Sequence, residues 1–142
     1  MVMVITHAID YMKARSSKKV SFTINHNAEV HFDAQVNIPL FEWVIENLCK
    51  NAIDAMKATG SLIITVGEKG SQIFIDISDT GAGIKSGDKK TVFQPGYSTK
   101  KRGWGLGLSL SKRIIEEYHA GKIFVKESKL GDGATFRILL NK

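Results

Sequence analysis

Two strand-like runs that follow each other directly in the middle of the chain constrain the fold most. In both runs polar and apolar residues alternate, the apolar positions being Leu62, Ile64 and Val66, then Ile73, Ile75 and Ile77. A period of two is typical of strands with one buried face, and the glycine-containing turn between the runs favours antiparallel pairing. Because no helix separates these strands, the chain does not fit the alternating strands and helices of a parallel dinucleotide-binding fold.

A long amphipathic helix is predicted before these strands, over residues 40–58, with Asn37 as a possible N-cap. At about 100° per residue, one broad arc of this helix collects the apolar side chains Phe41, Val44, Ile45, Leu48, Cys49, Ala52, Ala55 and Met56. The opposite side displays Asn47, Asn51 and Asp54. One face of the helix is therefore expected to pack, while another presents two amides and a carboxylate.

The remaining patterns complete an α+β arrangement. Alternating apolar residues predict two short strands at 20–24 and 30–32, joined as a hairpin, and two more at 123–125 and 136–140. A second helix is predicted over residues 106–118, where apolar residues are spaced at fours. The expected fold is a two-layer α/β sandwich of the α+β class, in which a mixed, mostly antiparallel sheet packs one face against helices.

A carboxylate is predicted on the buried face at the point where the second central strand ends. Continuing the period of two places Asp79 in line with the isoleucines before it. A carboxylate in that position needs a partner. Residues 80–102, which follow, are rich in glycine, have few apolar side chains and show no clear period. They are therefore predicted to form a long loop of the kind that is usually functional or disordered.

Length and composition predict one soluble domain. With 142 residues, 43% of them hydrophobic, the chain can bury a single core. No apolar stretch approaches the roughly 18 residues of a membrane helix and no signal-peptide pattern is present, so a cytosolic location without membrane contact is expected. The single cysteine, Cys49, excludes an internal disulfide. The net charge of +6 comes mostly from scattered residues, and the basic cluster around the glycine-rich loop favours phosphate over nucleic acid.

Three local features carry candidate chemistry, and each of them alone is weak. They are the amides Asn47 and Asn51 at i and i+4, the turn at 79–83, and the glycine run at 103–108 that opens a helix. Amide oxygens can coordinate a hard cation, and glycines before a helix let backbone N–H groups approach phosphates. No Gly-Lys-Ser/Thr closes the glycine run and no strand directly precedes it, which excludes a Walker loop.

In their order along the chain, these motifs resemble the sequence boxes of the GHKL ATPase superfamily, whose members include histidine kinases, DNA gyrase B and heat-shock chaperones. Residues 46–52 (ENLCKNA) are similar to the N box, and residues 79–84 (DTGAGI) are similar to the first glycine box. Residues 93–100 (FQPGYSTK) resemble the F box, 103–108 (GWGLGL) the second glycine box, and 131–136 (GDGATF) the closing motif. The order of all five motifs makes the resemblance specific.

The resemblance implies a Bergerat fold with a flexible ATP lid, and a role as the ATP-binding catalytic domain of a two-component sensor histidine kinase. Such a domain binds Mg-ATP, passes the γ-phosphoryl group to a histidine on a separate dimerisation domain and leaves ADP, and a response regulator acts downstream. The resemblance also implies that residues 19–142 form a cytoplasmic catalytic domain, whether or not the parent protein is anchored in a membrane. Residues 1–18 are then a lead-in from the dimerisation and phosphoacceptor domain.

The same resemblance implies the roles of individual residues. Asn51 is the expected Mg²⁺ ligand, and Asp79 is expected to accept the adenine amino group. Asn47 joins the metal and phosphate side and Lys100 contacts phosphate, so that these two and Asn51 are the expected catalytic residues. The lid would extend over residues 85–102. The full nucleotide-binding set consists of Asn47, Asn51, Asp54, Asp79, Gly81, Gly83, Ile84, Phe93, Tyr97, Ser98, Thr99, Lys100, Gly103, Trp104, Gly105, Leu106, Gly107, Leu108 and Thr135.

Four members of this set have particular roles or depart from the family pattern. Phe93 is expected to anchor the lid, and Thr135 is expected to assist adenine through water. Asp54 stands where many histidine kinases have a lysine near the phosphates. Trp104 replaces the usual small residue of the second glycine box, and its bulk could stack on the pocket or partly close it.

Asn47 separates the branches of the superfamily. Gyrase-like and chaperone-like members have a glutamate four residues before the metal asparagine, where it activates water for hydrolysis. An amide cannot take a proton at neutral pH, so water activation from Asn47 is not expected. Phosphoryl transfer depends mainly on positioning and on neutralisation of charge, which suits transfer to a separate acceptor. None of His7, His26, His31 or His119 fits the family's acceptor pattern, so the acceptor is expected on another domain.

Two alternative functions stay open at this point. An anti-sigma-factor serine kinase would use the same nucleotide site to phosphorylate a serine on a partner protein. A nucleotide-sensing or partner-binding module with a degenerate site would explain Trp104 and the missing acceptor.

Overall fold

The computed structural model describes residues 2–15, 18–26, 36–57, 59–94 and 107–141. Within these ranges the helices and strands are, in chain order, α1 (Val2–Arg15), β1 (Val20–His26), α2 (Ile38–Ala55), β2 (Gly60–Lys69), β3 (Gln72–Asp79), α3 (Gly107–Arg113), β4 (Lys122–Lys129) and β5 (Gly133–Asn141). Two 3-10 turns, Ser86–Asp88 and Thr91–Phe93, follow β3, and a π-helical turn, Ile114–Tyr118, continues α3. None of the described helices is both long and apolar enough to cross a bilayer.

The described strands form one sheet in the order β1-β2-β3-β5-β4. β1 runs parallel to β2, whereas β2 with β3, β3 with β5, and β4 with β5 pair antiparallel. The predicted α+β sandwich with a mixed, mostly antiparallel sheet is confirmed. The hairpin predicted for residues 20–24 and 30–32 has its second strand outside the described residues, and β1 lies beside β2, which follows α2 in the chain.

α2 forms where the apolar period predicts it, and its start is capped by a side chain. It begins two residues earlier than predicted, and Asn37 Oδ1 accepts a hydrogen bond from the Leu40 N–H at 3.2 Å. This bond satisfies one of the backbone donors that a helix start leaves unpaired. The predicted apolar arc is the buried face, formed by Phe41, Val44, Ile45, Leu48, Cys49, Ala52 and Met56. Burial raises the pKa of the Cys49 thiol to about 12, so this cysteine is a packing residue.

The buried side of α3 and of the π-helical turn after it coincides only in part with the apolar residues that are spaced at fours. Leu110 and Tyr118 are 41% and 61% exposed, while Ser111 and Ile115 are fully buried and Ile114 nearly so. A spacing of four residues drifts by about 40° per step on an α-helix, so a stripe of fours turns away from a flat neighbour. The buried side therefore includes Ile114 from that run together with Ile115 and a serine, Ser111.

α1 packs into the same core as the rest of the described chain. Ile5, Ala8 and Ile9 are at most 2% exposed. On the rim of the α1–α2 contact, His7 Nδ1 lies 3.2 Å from Glu42 Oε1. The described part of the segment 1–18 is thus a packed helix, and its link to a dimerisation domain stays a prediction.

His119 joins the start of α2 to the end of the α3 region. Its Nε2 accepts a hydrogen bond from the Asn37 N–H at 3.0 Å, which requires the ring proton to sit on Nδ1. Nδ1 lies 2.9 Å from the Ile114 carbonyl oxygen and donates to it. The ring also packs at 59° against Phe41, with 6.2 Å between the ring centroids. The role of His119 is therefore to hold two helices in place.

The sheet face that points away from the helices carries a nearly buried ion pair. Arg137 Nε and Nη2 donate to the two Asp76 carboxylate oxygens at 2.7 and 2.8 Å, and Lys126 Nζ lies 3.4 Å from Asp76 Oδ2. The Asp76 and Arg137 side chains are only 10% and 12% exposed. The Arg137 guanidinium also lies over the Phe74 ring, 4.5 Å from its centroid. The hydrogen bonds to Asp76 raise the pKa of Arg137, which keeps the arginine charged.

Breaking this pair from one side should destabilise the domain more than replacing both partners. We expect Arg137→Leu to cost about 3 kcal/mol of unfolding free energy, because Asp76 keeps its charge and only Lys126 remains to compensate it. The double variant Arg137→Leu with Asp76→Leu should recover most of that loss. Urea denaturation of the wild type and both variants measures the difference. Equal destabilisation of the single and double variants would contradict this account.

Candidate functional site

Asp79 ends β3 on the buried face, as its alternation with the isoleucines predicts. It is 8% exposed, and its Oδ1 accepts a hydrogen bond from the Gly81 N–H at 2.8 Å. Burial raises the pKa of the Asp79 carboxyl above its ordinary value, and hydrogen bonds from the backbone N–H groups of Gly81 and Ala134 oppose part of that shift. Asp79 is thus a nearly buried carboxyl group with a raised pKa, and the groups that favour its charged form are backbone N–H donors.

The turn that follows Asp79 lies directly on the last turn of α2. The Ala82 N–H donates to the Ala55 carbonyl oxygen at 3.2 Å. A Cβ atom on Gly81 would lie 2.7 Å from both the carbonyl carbon and the oxygen of Ala55, closer than real side chains approach a backbone. Only glycine therefore permits this contact. As a result, the turn after Asp79 is held directly against the C-terminal end of α2.

The β4–β5 hairpin holds the other side of the same turn. Ser128 Oγ accepts from the Ile84 N–H at 2.6 Å and lies 3.0 Å from the Ile84 carbonyl oxygen. The Gly131 N–H donates to the Ala82 carbonyl oxygen at 2.8 Å. Gly133 has a φ of +100°, and a Cβ there would collide with the Asp79 backbone. The first glycine box and the closing motif, which are far apart in sequence, are therefore in backbone contact.

A cavity of about 280 Å³ opens beside Asp79, close to the lower end of the range for small-molecule pockets, which is about 300 Å³. Its lining brings together two of the predicted site residues and six residues of the β4–β5 hairpin. These are Asp79 and Thr135, then Glu127, Ser128, Lys129, Asp132, Gly133 and Ala134. The carboxylate that was expected to meet a ligand does line a cavity, whereas the α2 amides lie outside this lining.

Thr135 lies in the cavity lining, but its hydroxyl is engaged elsewhere. Thr135 Oγ1 is 2.8 Å from Ser78 Oγ, across the β3–β5 pair. The group next to the Asp79 carboxylate is the Ala134 backbone N–H. A water-mediated role of Thr135 with adenine stays a prediction.

The amides of α2 lie on the side that faces α3. Asn47 Nδ2 donates to Ser111 Oγ at 3.1 Å, and Ser111 Oγ donates to the Gly107 carbonyl oxygen at 2.8 Å. Asn51 lies one turn further along α2 and is half-buried, and Asp54 is exposed near the end of the helix. The polar face of α2 thus runs from the first residue of α3 to the turn after Asp79.

Four more predicted site residues are described, and they pack against the core or the β4–β5 hairpin. Phe93 is 7% exposed and packs edge-on against Phe136, with 5.9 Å between the ring centroids. Ile84 and Leu108 are partly buried against the core, and Gly83 lies against the Lys129 carbonyl oxygen. Phe93 is therefore tied to the core just before the part of the chain that is not described. The other predicted contacts lie outside the described residues, namely Tyr97, Ser98, Thr99, Lys100, Gly103, Trp104, Gly105 and Leu106.

Sequence analysis misses two polar residues that border the candidate site, Ser111 and Ser128. Ser111 follows Gly107 by one helical turn and interrupts the buried face of α3. Ser128 comes at the end of β4, where the strand pairing shifts register between Val125 and Glu127. The shift places Ser128 beside the first glycine box, and such an irregularity is not visible in the apolar pattern.

The burial of Asp79 predicts a pH-dependent stability. Because the folded-state pKa lies above that of the unfolded chain, this carboxyl stabilises the fold at low pH, and the contribution is lost as the pH rises through the folded-state pKa. Asp79→Asn removes the ionisation while keeping an oxygen that accepts the Gly81 N–H. We expect the variant to melt higher than the wild type at neutral pH.

Thermal melts of the ligand-free chains from neutral pH down to about pH 4 test this expectation. The difference in melting temperature should shrink as the pH falls. A difference that stays constant with pH, or a variant that melts lower at neutral pH, would argue against a burial penalty on Asp79.

The chain is similar to sensor kinases over much of its length. Sporulation kinase E of Bacillus subtilis (strain 168) is 41% identical over 98 residues, which are 68% of this chain and 13% of that protein. Sensor histidine kinase ZraS of Salmonella typhi is 32% identical over 141 residues, which are 96% of this chain and 29% of that protein. The chain therefore spans less than a third of either relative.

The fold is that of solved kinase domains. The catalytic domain of histidine kinase ThkA, in a nucleotide-free form, superposes with a TM-score of 0.88 at 26% identity, covering 100% of this chain and 92% of that one. ThkA in complex with the response regulator protein TrrA superposes with a TM-score of 0.85 at 24% identity, covering 100% of this chain and 40% of that one. At this identity the similarity concerns the fold alone.

A family model covers most of the chain. The model described as "Histidine kinase-, DNA gyrase B-, and HSP90-like ATPase" matches residues 36–142, a span that contains all five motifs and both sides of the Asp79 turn. Four of the five described strands, β2 to β5, the nearly buried carboxylate at the end of β3 and the amide-bearing helix α2 all lie within that span. The chain belongs to the histidine kinase-, DNA gyrase B- and HSP90-like ATPases, and its relatives are sensor histidine kinases.

Proposed function

We propose that this chain is the catalytic domain of a sensor histidine kinase, which binds Mg-ATP and donates the γ-phosphoryl group to a histidine on a separate dimerisation domain. A response regulator would then receive the phosphoryl group downstream. ThkA, which has the same fold, has been solved in complex with such a regulator. In this proposal the domain works in the cytoplasm, where a reducing environment suits the free, buried Cys49.

The observation that carries this proposal is the Asp79 carboxylate at the edge of a cavity. A nearly buried carboxylate whose charge is supported only by backbone N–H groups costs stability, which is tolerated where a ligand uses it. An ionised carboxylate is acceptor-only, so its natural partner is a ligand donor such as the exocyclic amine of adenine. Ser128 and the hairpin glycines hold the turn around it.

The amide face of α2 suits the phosphates and the metal. Mg²⁺ prefers oxygen ligands and usually takes only one or two from the protein, with substrate phosphates and water completing its shell. Asn51 would supply such an oxygen, with Asn47 one turn before it on the same face. No cluster of three or more histidine, cysteine or acidic side chains that could hold a metal occurs among the described residues, which fits a metal brought by nucleotide. Lys100 and Trp104 would complete the phosphate side in this proposal.

The acceptor is proposed to lie on another part of the protein. Three histidines are described by the structure: His119 is used in helix packing, His7 lies beside Glu42, and His26 is exposed at the end of β1. Asn47 offers no base for activating water, so positioning and charge neutralisation by Mg²⁺ would favour transfer to a separate nucleophile over hydrolysis.

Phosphotransfer from labelled ATP tests the proposal. The chain is mixed with [γ-³²P]ATP, Mg²⁺ and an isolated acceptor-histidine domain from a related kinase, and the label on the acceptor is followed. We expect a label that is lost in acid, as phosphohistidine is. An acid-stable label on a serine of a partner would support the anti-sigma-factor type of kinase, and absence of Mg-ATP binding at millimolar concentration would support a degenerate module.

Variants of Asp79 and Asn51 separate the proposed adenine contact from the proposed Mg²⁺ contact. Asp79→Asn should abolish measurable ATP binding with or without Mg²⁺, because a neutral amide is a weaker acceptor for the adenine amine. Asn51→Ala should weaken binding only when Mg²⁺ is present, and should leave the melting temperature close to that of the wild type. Calorimetric titration with ATP, in Mg²⁺ and in EDTA, measures both effects. Wild-type affinity in either variant would rule out the role proposed for that residue.

A further inference from the structure

The Ser111 hydroxyl is a polar group that the proposed mechanism does not otherwise use. It is fully buried, on the face of α3 that packs against α2. A buried hydroxyl without hydrogen bonds would cost about 1–3 kcal/mol. Ser111 has two such bonds, one to the Asn47 side chain and one to the Gly107 backbone. Its surroundings are therefore built to hold this hydroxyl in one orientation.

The directions of these two bonds determine how the Asn47 amide is turned. A serine hydroxyl has a single hydrogen, and here it is donated to the Gly107 carbonyl oxygen one turn earlier in α3, at 2.8 Å. The oxygen can then only accept from its other neighbour. Asn47 must therefore present its NH₂ group to Ser111, at 3.1 Å, which leaves Oδ1 for other partners. An oxygen that is held in this way is the atom a hard cation or its bound water would require.

The same contact holds α2 close to the end of the second glycine box. A Cβ atom on Gly107 would lie 2.7 Å from Asn47 Oδ1, so the first residue of α3 and this amide are in direct contact. A shift of Gly107 relative to α2 would disturb both the bond from Ser111 to the Gly107 carbonyl oxygen and the bond from Asn47 to Ser111.

We propose that Ser111 is a positioning residue, which acts through Asn47 by fixing the amide with Oδ1 toward the metal and phosphates. The inference rests on the proposed Mg-ATP site. Without the hydroxyl, the Asn47 amide would lose its fixed donor contact and populate both of its flipped orientations, only one of which offers oxygen to the metal. Mg-dependent nucleotide affinity would fall, while the adenine contact at Asp79 would be unchanged.

The test is calorimetric titration of the full chain with ATP, in Mg²⁺ and in EDTA. We expect Ser111→Ala to weaken Mg-ATP binding roughly 3- to 10-fold, the range given by loss of one ordinary hydrogen bond, and to change binding in EDTA by less than about 2-fold. Ser111→Thr keeps a hydroxyl that can bond to the carbonyl one turn earlier, and it should restore Mg-dependent affinity. Ser71→Ala, in the exposed turn between β2 and β3, is the matched control and should bind as the wild type does.

A double-mutant cycle with Asn47→Ala separates positioning from a general effect on packing. If Ser111 acts through Asn47, Ser111→Ala should have almost no further effect in the Asn47→Ala background. Equal losses in both backgrounds, or equal losses in Mg²⁺ and EDTA, would overturn the inference. If Ser111→Ala does not fold, Ser111→Cys replaces it in the same cycle, since a thiol of similar size is only a weak hydrogen-bonding group.

The outcome also distinguishes this inference from the proposed function. If Asn47→Ala weakens Mg-ATP binding and Ser111→Ala does not, Ser111 has only a structural role and the proposed site stands. If the wild-type chain binds no Mg-ATP, the proposed function itself fails. If Asn47→Ala binds Mg-ATP as the wild type does, the role of the amide is refuted, and that of Ser111 with it.

Discussion

The contact between α2 and the turn after β3 is the constraint on which the site depends. Gly81 approaches the Ala55 backbone more closely than any residue with a side chain could, and Ala82 donates a hydrogen bond to it. Since α2 is also held by its buried apolar arc, its polar face has no freedom to move away from Asp79. The Asp79 carboxylate at the strand end and the helix that carries the two amides are thereby held next to each other.

β3 shows how one strand uses two carboxylates differently. Asp76 and Asp79 lie on opposite faces of the sheet, and both are more than nine-tenths buried. Asp76 meets Arg137 and Lys126, so its charge is compensated within the protein. Asp79 has only backbone donors, and its pKa rises because burial outweighs them. The first carboxylate is therefore compensated by cations of the protein itself, whereas the second is nearly buried without such compensation, which makes it the candidate for binding a ligand.

The sequence predicts some elements better than others, because some depend on local patterns and others on contacts between segments that are far apart in the sequence. The buried arc of α2 and the antiparallel β2–β3 pair follow from local periodicity, and both predictions are confirmed. A helix is present where one was predicted before Tyr118, but which of its side chains are buried depends on packing against α2 and the sheet and does not follow from the apolar spacing alone. The bond between Thr135 and Ser78, and that between Ser128 and Ile84, depend on which strands are neighbours. No local pattern encodes that.

The sequence by itself determined the family and the class of fold, and it predicted the two groups of the candidate site, Asp79 and the α2 amides. This was possible because strand alternation, helical period and glycine spacing can each be recognised from residues that are close together in the sequence. Only the tertiary structure decided that Asp79 lacks a cationic partner among the described residues, that the Asn47 amide is turned by Ser111, and that the closing hairpin supports the first glycine box. These are contacts between segments 45 to 65 residues apart, roughly, and they exist only once hydrophobic burial has brought the segments together.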